Sequence, residues 1–346
     1  TIPKSSDYFN TKLYTGNGGT QTITGVGFQS DFTWFKSRSA GNSHSLLDSV
    51  RGLGYALSSN LSGAEIPIAT QTFNSDGYVL THDGGAPSLN PNGVTTVAWN
   101  WKAGTAVSGS TTGSGTAKTY TGSVNTTSGF SIIKYVGNGT AGHTIPHHLG
   151  TANIGSIFVK NLDSGSDYWY NYHKPLGATK TLILNETDAV GTNTMWNNTA
   201  PTSSVFSVGT QSAVNTNNSN YIAYIFSDIQ GYCKTGSYTG NGNADGTFIY
   251  TGFKPAFVIM KRTDSAGYDW LMYTNKINGI NVMNDYLAPN TSAAEVVDNA
   301  NQILDFTSNG FKNRGTGGSN NASGGSYIYM AFAEEPLVGD NPATAR

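Results

Sequence analysis

An all-β fold is what the sequence predicts: three tandem antiparallel β-sandwich domains of jelly-roll type with at most short helices. Three observations carry this. Gly (43) and Asn (35) make over a fifth of the 346 residues, a composition of tight turns. Apolar residues, 37% in all with 12% aromatic, come in strand-length runs and suffice to build cores. One pattern recurs three times at domain-sized spacing.

Each copy opens on a turn. Tyr14-Thr15-Gly16-Asn17-Gly18 returns as Tyr135-Val136-Gly137-Asn138-Gly139 and as Tyr238-Thr239-Gly240-Asn241-Gly242, separations of 121 and 103 residues. These segments read as turns needing positive φ, since no helix signal follows to make phosphate-binding loops of them. A strand closed by lysine comes next: 32–36, 156–160 and 257–261, ending at Lys36, Lys160 and Lys261. Those lysines read as blunting a sheet edge or pairing with a carboxylate. Then comes an Asn (Asn60, Asn185, Asn290) beside a helix-cap signal. Ser62 with Glu65, and Ser292 with Glu295, have capping-box spacing and predict a short helical turn. A strand beginning at Tyr78, Phe206 or Phe311 follows, and each copy ends on a run such as Val97-Ala98-Trp99-Asn100-Trp101.

The repeat ends set the boundaries: modules at 1–104, 120–229 and 230–338, a flexible Gly/Ser/Thr-rich linker at 105–119 and a tail at 339–346. The modules read as beads on a string, the last two closely docked.

Charged residues are 12% of the chain, with a net charge of −2. That leaves no basic surplus for nucleic acid or an anionic membrane surface. No apolar run is long enough to cross a bilayer as a helix, so no membrane insertion is expected. A single cysteine, Cys233, excludes an internal disulfide and a Cys-based zinc site.

Aromatic side chains that only one copy carries are the candidate binding residues, because positions common to the copies belong to the fold. Asp167 to His173 aligns with Tyr268 to Tyr273, which makes Trp169/Trp270 and Tyr172/Tyr273 core positions. The unshared Tyr168, Tyr170 and His173, with Trp196 and Asn197 in the following loop, form the predicted ligand site. His143, His147 and His148 share one stretch without a carboxylate or thiol at ligand spacing, which speaks against zinc. Asn74, Asp76 and Asp83 are the calcium candidates, without EF-hand spacing, and no other cofactor is expected. No nucleophile elbow, His-Glu-x-x-His or matched acid pair is present, so no catalytic residue and no enzyme activity are expected.

The runs 7–11, 14–18, 25–29, 48–52, 73–77 and 97–104 resemble a module of marine tailed-bacteriophage structural proteins. The runs 250–257 and 327–334 resemble its C-terminal companion. The resemblance implies lectin-like sandwiches of concanavalin or laminin-G type in a virion protein, assembled in the host cytoplasm and carried on the extracellular particle. It implies a tail-fibre or tail-tip adhesin that recognises a host cell-surface glycan or receptor, with other virion proteins as partners and a homo-oligomer, trimer favoured. A capsid decoration protein with a structural docking role is the alternative, and a polysaccharide depolymerase ranks third. Such modules often end a longer fibre; no attachment domain or coiled-coil stem is visible, which suits a fragment or a short accessory protein.

Overall fold

The computed structural model describes residues 2, 4–82, 84 and 89–336, with side chains described up to Glu334. It is all-β, built of antiparallel sheets with a few single-turn helices. Each third of the chain supplies the same four-strand unit to a large sheet. In spatial order these are Phe9–Thr15, Thr95–Trp101, Phe32–Ser37, Ser45–Asp48; Phe130–Val136, Asn220–Ser227, Ile154–Asn161, Tyr170–His173; and Cys233–Thr239, Ser326–Pro336, Phe253–Arg262, Leu271–Thr274. A small sheet covers one face of each: Thr20–Thr24 with Gly77–Thr81 and Thr72–Asn74; Thr112–Gly113 with His143–Pro146 and Val205–Val208; Phe248–Tyr250 with Gly310–Asn313 and Leu304–Thr307.

The predicted linker is a strand pair. Thr105–Ser110 runs antiparallel to Thr119–Asn125, from Thr105↔Val124 to Ser110↔Thr119, and Thr112–Gly113 joins His143–Pro146. Ladder hydrogen bonds use the backbone alone, so small side chains do not forbid them, and one inward Val107 packed on the second copy's core suffices to seat the strand. With Lys180–Ile183 and Gly191–Thr192 at the far edge, these strands widen the second large sheet to eight.

The bead arrangement is also overturned. Along Thr95–Trp101, the side chains of Val97, Trp99 and Trp101 enter one apolar cluster while Ala98 enters another. Along Asn220–Ser227, Ile222, Tyr224 and Phe226 join that same first cluster; along the last strand Ile328, Met330 and Phe332 do so too. The period-2 pleat therefore sends alternate residues to a small local core, shared with the small sheet, and to a central core shared by all three copies. Both faces are buried, which is why these strands read as unbroken apolar runs. At the middle, the equivalent Trp101, Phe226 and Phe332 touch one another pairwise, with ring centroids 6.0, 5.6 and 5.5 Å apart. They mark a pseudo-threefold axis.

The contacts around this axis close into a ring. Trp169 Nε1 of the second copy donates to the Ser58 carbonyl of the first (2.9 Å), and Trp270 Nε1 of the third to Ile183 of the second (2.9 Å). In the first copy His44 takes the tryptophan's place: its Nε2 bonds the Ala288 carbonyl of the third copy (3.0 Å), while Nδ1 accepts from Trp34 (2.8 Å). The backbone amides of His44, Trp169 and Trp270 donate to Asn60, Asn185 and Asn290, so the repeat asparagines hold these residues in place. The capping-box turns do not form. Glu65 and Glu295 instead donate their amides to the Leu162 and Arg38 carbonyls of neighbouring copies, and Glu295 grips the Arg38 guanidinium through both oxygens (2.6 and 2.9 Å). Intercopy pairing outcompetes a helical turn too short to stand alone.

Candidate functional site

The predicted site residues do not converge. Tyr168 is 39% exposed, whereas Tyr170 is half-buried against the second local core. Trp196 is 1% exposed inside that core, its ring 5.9 Å from Tyr172. Asn197 sits in the turn beyond at φ 51°, a conformation asparagine tolerates better than most residues, and its amide donates to Thr194. His173 lies on the opposite strand face, buried, with Nε2 on the Tyr329 carbonyl of the third copy (2.9 Å). It is an intercopy contact, matching Asp48, which accepts from Tyr224 of the second copy (2.7 Å), and Thr274, which meets Thr11 of the first (3.4 Å). Being absent from the sister copies marked these residues as variable, and variable residues fill cores and interfaces as well as surfaces.

The repeat lysines are likewise interior. Their strands are central in the sheets, and each ammonium is buried on carbonyls: Lys36 on Ser37 and Ser292, Lys160 on Asn161, Lys261 on Arg262 and Thr187. They neither blunt an edge nor pair with a carboxylate. The Gly-Asn-Gly segments are turns, with Gly18, Gly139 and Gly242 at φ 71°, 74° and 66°. Buried Asn90, Asn215 and Asn321 each cap one of them by accepting the amide of Asn17, Asn138 or Asn241.

Of the calcium candidates, Asp83 lies outside the described residues. Asp76 accepts the amides of Gly25 (3.0 Å) and Gly27 (2.7 Å), which hold its pKa below the usual carboxylate range, and Asn74 is exposed on a neighbouring strand. Among the described residues no group of three His, Cys, Asp or Glu stands close enough to hold a metal. His143 is buried between Asn215 (3.0 Å) and Thr111 (2.7 Å); His147 bonds the Thr202 carbonyl and His148 the Tyr120 hydroxyl.

Two surface features remain. Phe248 and Tyr250, 46% and 60% exposed, flank the buried Ile249 on one strand and project from the same face, about 7 Å apart. Ile249 pairs with Phe311, as Ile23 does with Tyr78 and Ile145 with Phe206. The sister copies thus carry Thr22 and Thr24, or Thr144 and Pro146, where the third has two aromatic rings. Gly310 stands opposite Tyr250, where a Cβ would collide with the Ile249 carbonyl, and Lys312 opposite Phe248 is paired with Asp245. Comparing the copies along this strand would have found the pair in the sequence.

The second feature is a set of clefts between copies. One of about 490 Å³ lies between copies one and two beside Asp31, and one of about 230 Å³ lies between copies three and one beside Asn275 and Lys276. At the third junction Gly155 packs against Thr235, and Lys174 reaches Asp228 (3.7 Å). No helix among the described residues is long and apolar enough to cross a membrane.

No curated protein and no solved structure matches the chain. Residues 4–336 match a family described as a domain of unknown function, DUF7483, and the chain belongs to that family.

Proposed function

We propose that the chain is a virion protein of a tailed bacteriophage, a tail-fibre or tail-tip adhesin of three tandem concanavalin-like β-sandwich modules that recognises a host-surface glycan or receptor. The motif resemblance and the all-β architecture support this setting. The observation that carries the binding role is the exposed pair Phe248 and Tyr250. Two rings on one flat sheet face, free of sister-copy counterparts, offer stacking to the apolar face of a sugar ring, with the phenol hydroxyl left for hydrogen bonding. The balanced charges beside them, Lys312 with Asp245 and Arg314 with Asp305, suit a neutral saccharide. This reading assigns binding and no catalysis.

The test is a screen of the purified protein against host cells and a surface-glycan array, beside a Phe248→Ala/Tyr250→Ala variant. Saturable binding that drops at least tenfold in the variant is expected. Binding to neither cells nor glycans, with avid binding to assembled tails or capsids, would overturn the adhesin reading in favour of a structural docking role.

A further inference from the structure

Two features that the sister copies lack meet at one place. Asp31, five residues before Lys36, stands where the other copies have Gly155 and Ala256. The hairpin of Thr105–Ser110 and Thr119–Asn125 is the second copy's own addition. The groove of about 490 Å³ runs between them, past Ser49 and Gly104 of the first copy and Ser108, Thr121 and Ser123 of the hairpin.

Asp31 is fixed at both ends of its peptide unit: its amide donates to the Trp101 carbonyl (2.9 Å) and its carbonyl accepts from the Ser49 amide (2.8 Å). Asp31 is 8% exposed. One carboxylate oxygen accepts the Ala103 amide (2.8 Å); the other accepts the Ser49 hydroxyl (2.9 Å), with the Ser123 hydroxyl at 3.5 Å. Among the described residues it forms no ion pair. Of the nearby cations, Lys102 lies over the Tyr8 ring (5.8 Å), and Arg51 is held by Asp48 (2.5 Å) and Glu65 (3.3 Å). Burial raises the Asp31 pKa, with hydrogen bonds and Lys102 opposing. A desolvated carboxylate without an ion-pair partner among the described residues, facing an open groove, marks a position where a cationic ligand would restore what burial removed.

We propose that this groove binds a primary ammonium group, with Asp31 as its counter-ion and the Ser49 and Ser123 hydroxyls as further acceptors. An ammonium fits better than a guanidinium, because one carboxylate oxygen is already engaged by the Ala103 amide and a planar fork asks for both. Among the described residues no group of three His, Cys, Asp or Glu gathers there to make a metal site. The shared chemistry is the ammonium; a linear diamine and an amino sugar are two sources of it. The site is separate from Phe248 and Tyr250 and stands whether or not those bind glycan.

The test titrates the intact chain with 1,4-diaminobutane, glucosamine and glucose at pH 5 and pH 6.5, where both amines are protonated, reading binding by calorimetry and NMR. One or both amines are expected to bind saturably and more tightly at pH 6.5, glucose not to bind, and Asp31→Asn to weaken amine binding at least tenfold. The diamine and glucosamine arms separate the two sources. Equal binding by Asp31→Asn, glucose binding as well as glucosamine, or no amine binding at millimolar concentration would overturn the proposal. Should the variant fold poorly, the carboxyl carbon shift of Asp31 in the unaltered protein serves instead. Saturating amine lowers its titration midpoint if the ammonium pairs with it, and an unmoved midpoint overturns the pairing.

Discussion

Lys36, Lys160 and Lys261 each bury an ammonium on backbone carbonyls, and burial brings each pKa down to about 8. In the unfolded chain these groups titrate near 10.5, so between pH 8 and 10.5 the unfolded state binds more protons and folding stability rises with pH. Buried tyrosines such as Tyr78 and Tyr329, whose pKa burial raises, act the other way above their ordinary value near 10, and the Cys233 thiol does so from about 9. Stability should therefore climb from pH 8 towards 10 and fall beyond. On the acid side burial takes His44 to about 3 and His173 to about 4; both are neutral in the fold, so stability should drop as pH falls from about 6.5 towards 4. Urea midpoints across pH 4 to 11 check both limbs, and a flat profile from 8 to 10 would contradict the buried-lysine account.

Within an element, the shared turn was legible and its reasons now are physical. A Cβ on Gly16, Gly137 or Gly240 would stand 2.1, 2.3 or 2.4 Å from the carbonyl of Pro91, Thr216 or Ala322, so the repeat keeps glycine for close approach as well as for turn geometry. The Asn60, Asn185 and Asn290 alignment was legible too. Three things were hidden. His44 standing in for tryptophan has no compositional signal, because the common requirement is a ring N–H, and two side-chain types meet it. The strand 105–110 was masked by small residues. The backbone amides of Glu65 and Glu295, the ends of the supposed caps, are taken by carbonyls of neighbouring copies, and that is visible only once the copies meet. Arg38 and Glu295 make the clearest case. A double-mutant cycle with alanine at both positions should return a coupling of about 1 kcal/mol, above most exposed pairs because Glu295 is largely buried, and a coupling near zero would relegate the pair to the surface.

Across the whole molecule, the central core decides how stability is shared. Domains joined only by linkers melt independently, whereas copies that contribute to one aromatic core unfold together. A single calorimetric transition is expected, with calorimetric and van't Hoff enthalpies in agreement. Trp101→Ala should lower its midpoint as one unit, costing about 3–5 kcal/mol for a fully buried ring. Two resolved transitions, only one of them moved by this change, would contradict the shared core. The sequence disclosed three copies but not their closure. A face that packs on a sister copy and a face that packs on a small sheet look alike as apolar runs, and periodicity carries no label for the partner.

The ring also sets an order on synthesis. The first copy's wall of Phe9, Trp99 and Trp101 lies against Phe257 and Phe332, and its His44 and Arg38 wait for Ala288 and Glu295. None of these partners exists until the final third has been translated, an interval of about 5–20 s at usual elongation rates. Through that interval a nascent chain two-thirds made holds an aromatic face open to water, and a chaperone that shields such faces on the ribosome would find its substrate there.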